Sequence, residues 1–244
     1  MIPIRDINPT VVRPVITLLL IGLNVAVFLF FQPTDSEAEE AAFVYERAVI
    51  ACEVTTGEPL TDAQIRGGCD AAGGSEAFPG KNVYAASFTS MFLHGGIIHL
   101  LSNMWFLWIF GNNIEEAFGR AGYLVLYLAA GLAATGAFIV ANPEAVVPLV
   151  GASGAIAGVL GAYAILFPTH RILSLVIIVF VPVPSFVFLG IWFFMQFAVD
   201  QPGVAWEAHV VGFLFGMATA AVFRVQLFRR LTRLHKPLSY GAST

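Results

Sequence analysis

Charge is what this sequence has least of. Asp, Glu, Lys and Arg make up 11% of its 244 residues, against 58% hydrophobic, a balance that excludes an ordinary soluble domain. The charge is also segregated, with ten of the sixteen acidic residues lying between Gln32 and Ser87. Metal-ligand patterns are missing. There is no H-E-x-x-H, and no Asp or Glu accompanies the histidines of the apolar runs, so neither a metal nor a nucleic-acid partner is expected. A nucleophile elbow is missing as well. Gly151-Ala152-Ser153-Gly154 is followed by Ala155 where G-x-S-x-G needs its last glycine, and no strand precedes it, which excludes the soluble α/β serine hydrolases. Only two cysteines are present, Cys52 and Cys69. Outside a membrane they can close one disulfide loop, and two unpaired thiols are the alternative. No small-residue cleavage site follows the apolar stretch from Val15 to Phe31, which therefore reads as an uncleaved first span rather than a signal peptide.

What is there is a series of apolar runs. Six candidate spans cover 14–31, 98–118, 121–141, 150–167, 184–199 and 205–224. Each is close to the ~20 residues that cross a ~30 Å hydrocarbon core, and open backbone cannot face lipid, so each is expected to be helical. With the N-terminus inside, Arg5, Arg13, Arg120, Arg171, Arg224, Arg229, Arg230, Arg233 and Lys236 are cytoplasmic, and only Arg47, Arg66 and Lys81 are outside. Nine against three places both termini in the cytoplasm. The expectation is an all-α polytopic membrane protein: a cytoplasmic segment 1–13, a membrane domain 14–224 that includes an outer loop 32–87, and a basic tail 225–244. Residues 37–51 can form a short amphipathic helix, and Pro59, Gly67-Gly68 and Gly73-Gly74 mark turns. Residues 172–183 read as a hydrophobic loop in the cytoplasmic leaflet, with a re-entrant segment as the competing view. The tail reads as an anchor to anionic lipid.

Four polar residues interrupt the spans: His99, Asn103, Ser153 and His209. Helix rise puts them ~18 to ~24 Å above the cytoplasmic ends of their spans, in one layer nearer the outer face. Taken singly, Ser153 is a packing serine, Asn103 is interhelical glue, and either histidine can be a core hydrogen-bonding residue. At a common depth they have a chemical reading. Ser153 can be a nucleophile and His209 its general base. A developing oxyanion can be met by Asn103, by a His99 nitrogen and by the backbone N–H of Ser153 near a helix start. Gly154, Gly158 and Gly161 line one face of the fourth span, Gly212 and Gly216 one face of the sixth, so these two helices can approach closely and bring Ser153 to His209. No orienting acid is visible. Glu207 is two residues before His209, on the wrong side of its helix, and Asp200 is in an outer loop, which leaves a dyad. His94, before the second span, reads as structural, and Asn24 as packing.

Four blocks resemble the rhomboid family of intramembrane serine proteases: His94-Gly95-Gly96-Ile97-Ile98-His99-Leu100-Leu101-Ser102-Asn103-Met104, Gly111 to Gly119, Gly151-Ala152-Ser153-Gly154, and Ala208-His209 through Gly212 to Gly216. The resemblance covers about residues 85–224 and implies a six-span bundle in a bacterial-type inner membrane. It implies Ser153 as nucleophile, His209 as base, and His99, Asn103 and the Ser153 backbone as the oxyanion hole. It further implies cleavage of single-span membrane proteins, access controlled by the fifth span, and no cofactor. One departure is that Ala85 and Ala86 stand where many members carry Trp-Arg in the first outer loop. The alternatives are a catalytically silent relative that binds membrane clients, which usually lacks the serine or histidine kept here, and a transporter, which would call for acidic residues or broken helices at the midplane.

Overall fold

In the computed structural model, which describes residues 1–33, 36–198 and 203–236, the body is built from apolar helices: α1 (Val15–Phe30), α6 (Ile97–Ala141), α7 (Ser153–Leu166), α8 (Ser185–Ala198) and α9 (Trp206–Val222). Among the described residues, α6 is the helix long and apolar enough to cross a membrane by itself. It is broken at Gly119, whose φ of 74° belongs to the left-handed region that glycine tolerates. The break separates two arms matching the expected spans 98–118 and 121–141. A side chain at 119 would also press on the Arg230 guanidinium. α1, α7 and α8 have 14 to 16 residues. α9 turns through 73° into a basic helix, α10 (Arg224–Leu234). Asp200 and residues 237–244 of the tail lie outside the described residues.

Two buried acids at the middle of α6 fasten the end of the bundle where the N-terminal segment enters it. The Glu115 carboxylate accepts from the first-turn N–H groups of Ile16 and Thr17 at 2.9 and 2.8 Å and from the Thr17 hydroxyl. It thus caps α1 from another helix and sits at the positive end of its dipole. Glu116 accepts from the N–H groups of Val11 and Val12 at 2.6 and 2.7 Å. It also meets the His235 imidazole at 2.6 Å, and its carbonyl takes the Arg230 Nε–H. The Gly111–Gly119 block therefore ties the N-terminal segment and α10 to the bundle.

The expectation of an all-α protein needs correction. β1 (Ile2–Asp6), β4 (Arg171–Val176) and β5 (Val179–Pro184) form an antiparallel sheet in the order β1-β4-β5. Ile2 is opposite Leu175, and Arg171 is opposite Pro184. The stretch 172–183, read as a hydrophobic loop with a re-entrant segment as the competing view, is thus part of a hairpin. Its β-branched residues suit a pleated surface, and Pro182 is tolerated because β5 is an edge strand. The hairpin tip, Ile177-Ile178, is 90% and 84% exposed, and Ile177 has a φ of 57°.

Asp6, at the end of β1, is held from three sides. Its carboxylate accepts from the Tyr163 hydroxyl at 2.7 Å, from Asn113 Nδ2 at 2.5 Å and from the Asn8 N–H at 2.8 Å. Burial outweighs these bonds and raises its pKa from 3.8 to about 6. A group whose folded pKa lies above its unfolded value stabilises the fold fully at low pH and loses that contribution as pH rises through the folded value. The melting temperature in detergent is therefore expected to fall between about pH 4 and pH 7, with less of that fall in Asp6→Asn. Parallel melting curves would refute the placement of this proton.

The outer loop is ordered by local contacts. α2 (Glu37–Arg47) carries a Ser36 cap. β2 (Val49–Ile50) pairs with β3 (Pro148–Leu149). The Cys52–Cys69 disulfide ties α3 (Ala51–Thr56) to the turn that follows α4 (Asp62–Gly67), and α5 (Ala86–Thr89) is the short helix at the end of the loop. Lys81 is buried, 2.5 Å from Glu53, and donates to the Tyr45 carbonyl; burial lowers its pKa. The loop packs through this pair and the β2–β3 ladder, without the Trp-Arg that Ala85 and Ala86 replace. Closing the 17-residue loop is worth about 3 kcal/mol by chain entropy. Replacing both cysteines by serine should lower the melting temperature to that of the reduced wild type. A double variant that melts like the oxidised protein would refute the contribution.

Candidate active site

α7 and α9 cross backbone against backbone, and glycines make this possible. A Cβ at Gly212 would run into the Gly154 carbonyl, one at Gly216 into the Gly158 carbonyl, and one at Gly161 into the Phe213 carbonyl. On the other side of α7, Gly154 and Gly158 face Ala134 and Ala130 of α6. Ser153 is the first residue of α7, so its N–H is among those a helix start leaves without an intrahelical partner. The turn into it uses Gly151 at a φ of 124°, where a Cβ would sit 2.9 Å from His99 Nε2.

At this crossing Ser153 Oγ is 2.8 Å from His209 Nε2. His209 Nδ1 is 2.8 Å from Gln196 Oε1 on α8, and the Trp192 ring lies 6.1 Å from the imidazole. Asn103 is buried and spends one amide N–H on the His99 carbonyl, at 3.0 Å. His99, Asn103, Ser153 and His209, the residues expected at one depth, line a single cavity of about 700 Å³. No Asp, Glu, Lys or Arg lines it among the described residues. A hydroxyl, an imidazole in contact with it and neutral hydrogen-bond donors in one cavity are the parts an acyl-transfer site needs.

Other residues singled out by sequence lie around this layer. His94 is fully buried before α6, its ring edge-on to His99 at 5.2 Å, and the Gln32 side chain clasps its backbone N–H and C=O. Asn24 donates to the Leu20 carbonyl. Glu207 is turned away to Asn142 Nδ2 at 3.3 Å. Sequence reasoning missed Gln196. Its one signal was a lone amide in the apolar run Phe193-Phe194-Met195-Gln196-Phe197.

Fold and site together define a helical protein whose serine–histidine pair sits in a polar layer among apolar helices. The chain belongs to the rhomboid family: the family model described as Rhomboid domain matches residues 81–226, well over half of it. It is accordingly a polytopic integral membrane protein. Among similar proteins, "Rhomboid protease GluP" of Bacillus subtilis is 45% identical over 74 residues, 30% of this chain and 14% of that protein. "Rhomboid protein 1, mitochondrial" of Saccharomyces cerevisiae is 33% identical over 160 residues, 58% and 44%. "Presenilin-associated rhomboid-like protein, mitochondrial" of Bos taurus is 32% identical over 137 residues, 52% and 35%. The chain spans less than half the length of each of these relatives.

Proposed function

We propose that this protein is an intramembrane serine endopeptidase that cleaves single-span membrane proteins within or near the bilayer. Ser153 Oγ attacks the scissile carbonyl while His209 Nε2 takes its proton. The tetrahedral oxyanion is met by the Ser153 N–H, the free amide hydrogen of Asn103 and a ring nitrogen of His99. His209 returns the proton to the leaving amine, and water, activated by the same imidazole, releases the acyl-enzyme. The chain crosses the membrane six times, its 1–13 and 225–244 segments cytoplasmic, in a bacterial-type inner membrane. It works without metal or other cofactor, in contact with lipid and protein substrate. α8, the fifth span, controls entry.

The observation that carries this reading is the 2.8 Å contact between Ser153 Oγ and His209 Nε2 inside the cavity. A catalytically silent client-binding protein has no use for it. The test is cleavage of a single-span reporter by the purified full chain in detergent, wild type beside Ser153→Ala. Wild type is expected to cleave and the variant to fall to background. Unchanged cleavage by the variant removes Ser153 as nucleophile. A wild type inert to several reporters would favour client binding.

A further inference from the structure

We propose that Gln196 is the positioning residue of the Ser153–His209 pair and that, through it, the placement of α8 decides whether the serine is activated. This rests on the serine-endopeptidase reading above. The direction of the amide follows from its second bond. Gln196 Nε2 donates to the Trp192 carbonyl at 2.9 Å, so Oε1 is the atom turned to His209. A carbonyl oxygen can only accept. His209 Nδ1 therefore carries the proton, and Nε2 is left with the lone pair that takes the Ser153 hydroxyl hydrogen. Without an acceptor at Nδ1, the opposite tautomer becomes available. Its Nε2–H would donate to Ser153 Oγ and could not act as a base.

α8 is built to move this acceptor. Its start is fixed: the Ser185 hydroxyl bonds the Phe167 carbonyl, and the N–H groups of Ser185 and Phe186 bond the carbonyls of His170 and Pro168. Ser185, Phe188 and Leu189 are its buried residues. Past them the helix meets α9 through aromatic contacts, Trp192 and Phe193 on Phe213 at 5.7 and 5.1 Å and Phe197 on Trp206 at 5.3 Å, while Phe194 is 69% exposed and Phe197 55%. Gln196 lies eleven residues beyond Ser185, ~16 Å along the axis. A tilt of about 10° about the fixed end carries it ~3 Å, more than enough to part a 2.8 Å hydrogen bond. Opening α8 to admit a substrate thus leaves His209 without its orienting partner, and closing α8 over the bound substrate restores it. α8 carries no titratable residue among those described. Of the groups on elements around the imidazole, Glu207 on α9 is engaged with Asn142, and His99 of α6 is the titratable side chain bearing on it.

The test compares wild type, Ser153→Ala, Gln196→Ala, Gln196→Met and Gln196→Glu in detergent. The readouts are reporter cleavage and the rate at which a fluorophosphonate probe labels Ser153, with melting curves to establish folding. Gln196→Ala and Gln196→Met should both lose about 10- to 100-fold in kcat and in labelling rate, the size of one buried hydrogen bond, with KM little changed. Methionine keeps the shape and removes the acceptor, so a packing role predicts wild-type behaviour for it. Gln196→Glu should retain labelling and move the acid limb of the kcat profile to higher pH, since a carboxylate favours the imidazolium. A Met variant at the wild-type rate, or an unmoved acid limb in the Glu variant, overturns the role of Gln196 and leaves the pair standing. Labelling that survives in Ser153→Ala, or a wild type refractory to the probe, overturns the reading of the pair, and the proposal falls with it.

Discussion

Replacing Ser153 and His209 together is expected to slow cleavage no more than replacing either alone. Ser153→Ala, His209→Ala and the double variant should each fall about 10⁴-fold or more, to background, because nucleophile and base work as one unit and removing either removes the shared step. The 2.8 Å contact requires this pattern. Were the two acting separately, their losses would multiply. The oxyanion donors should behave differently. His99→Ala is expected to cost about 10²-fold, since the Ser153 N–H and the Asn103 amide remain, and it should lower kcat rather than raise KM. The measurement is reporter cleavage under saturating substrate, with the fluorophosphonate labelling rate as the substrate-independent check. A double variant far slower than both singles would mean that the contact is structural and that each residue contributes on its own.

Much of this site was legible in the sequence, for a geometric reason. Ser153 and His209 lie on helices whose far ends are marked by the first basic residues beyond them, Arg171 and Arg224, so a fixed rise per residue converts sequence distance into depth. His99 and Asn103 share a face by their four-residue spacing. The glycine faces of α7 and α9 added that these two helices could meet. What the sequence withheld was of two kinds. The β4–β5 hairpin alternates poorly: Leu173, Leu175 and Val176 leave few polar positions to separate the faces, and a run apolar on both sides carries no period to read. Its partner β1 lies about 165 residues away, across the whole bundle, so the pairing has no local signal. Gln196 is the second kind. A single amide in an apolar span announces that it needs a partner, but which imidazole nitrogen it faces is a property of three packed helices. Lys81 and Glu53 belong here too, being ordinary loop charges in sequence and a buried ion pair in the fold.

The largest effect on the fold should come from one methyl group. Gly216→Ala places a Cβ against the carbonyl, carbonyl carbon and Cα of Gly158. All three are backbone atoms of α7, so no side chain can swing aside, and relief requires the helices to separate. α7 cannot retreat, because Gly158 and Gly154 on its other flank already touch Ala130 and Ala134 of α6. The strain therefore falls on α9, two turns below His209, and lifts the imidazole away from Ser153. Overpacking of this kind costs about 1–3 kcal/mol where side chains can adjust. Here, with only backbone to move, a loss at or above the top of that range is expected, together with a drop of many degrees in melting temperature in detergent and labelling of Ser153 reduced to near background. Gly161→Ala, against the Phe213 carbonyl, should behave alike. The contrast is Gly22→Ala in α1, where a Cβ meets nothing within 4 Å. That change should be neutral or stabilise by up to about 1 kcal/mol, because alanine is the better helix former. If Gly216→Ala melted and labelled like Gly22→Ala, the α7–α9 crossing would not be the close backbone contact that holds Ser153 against His209.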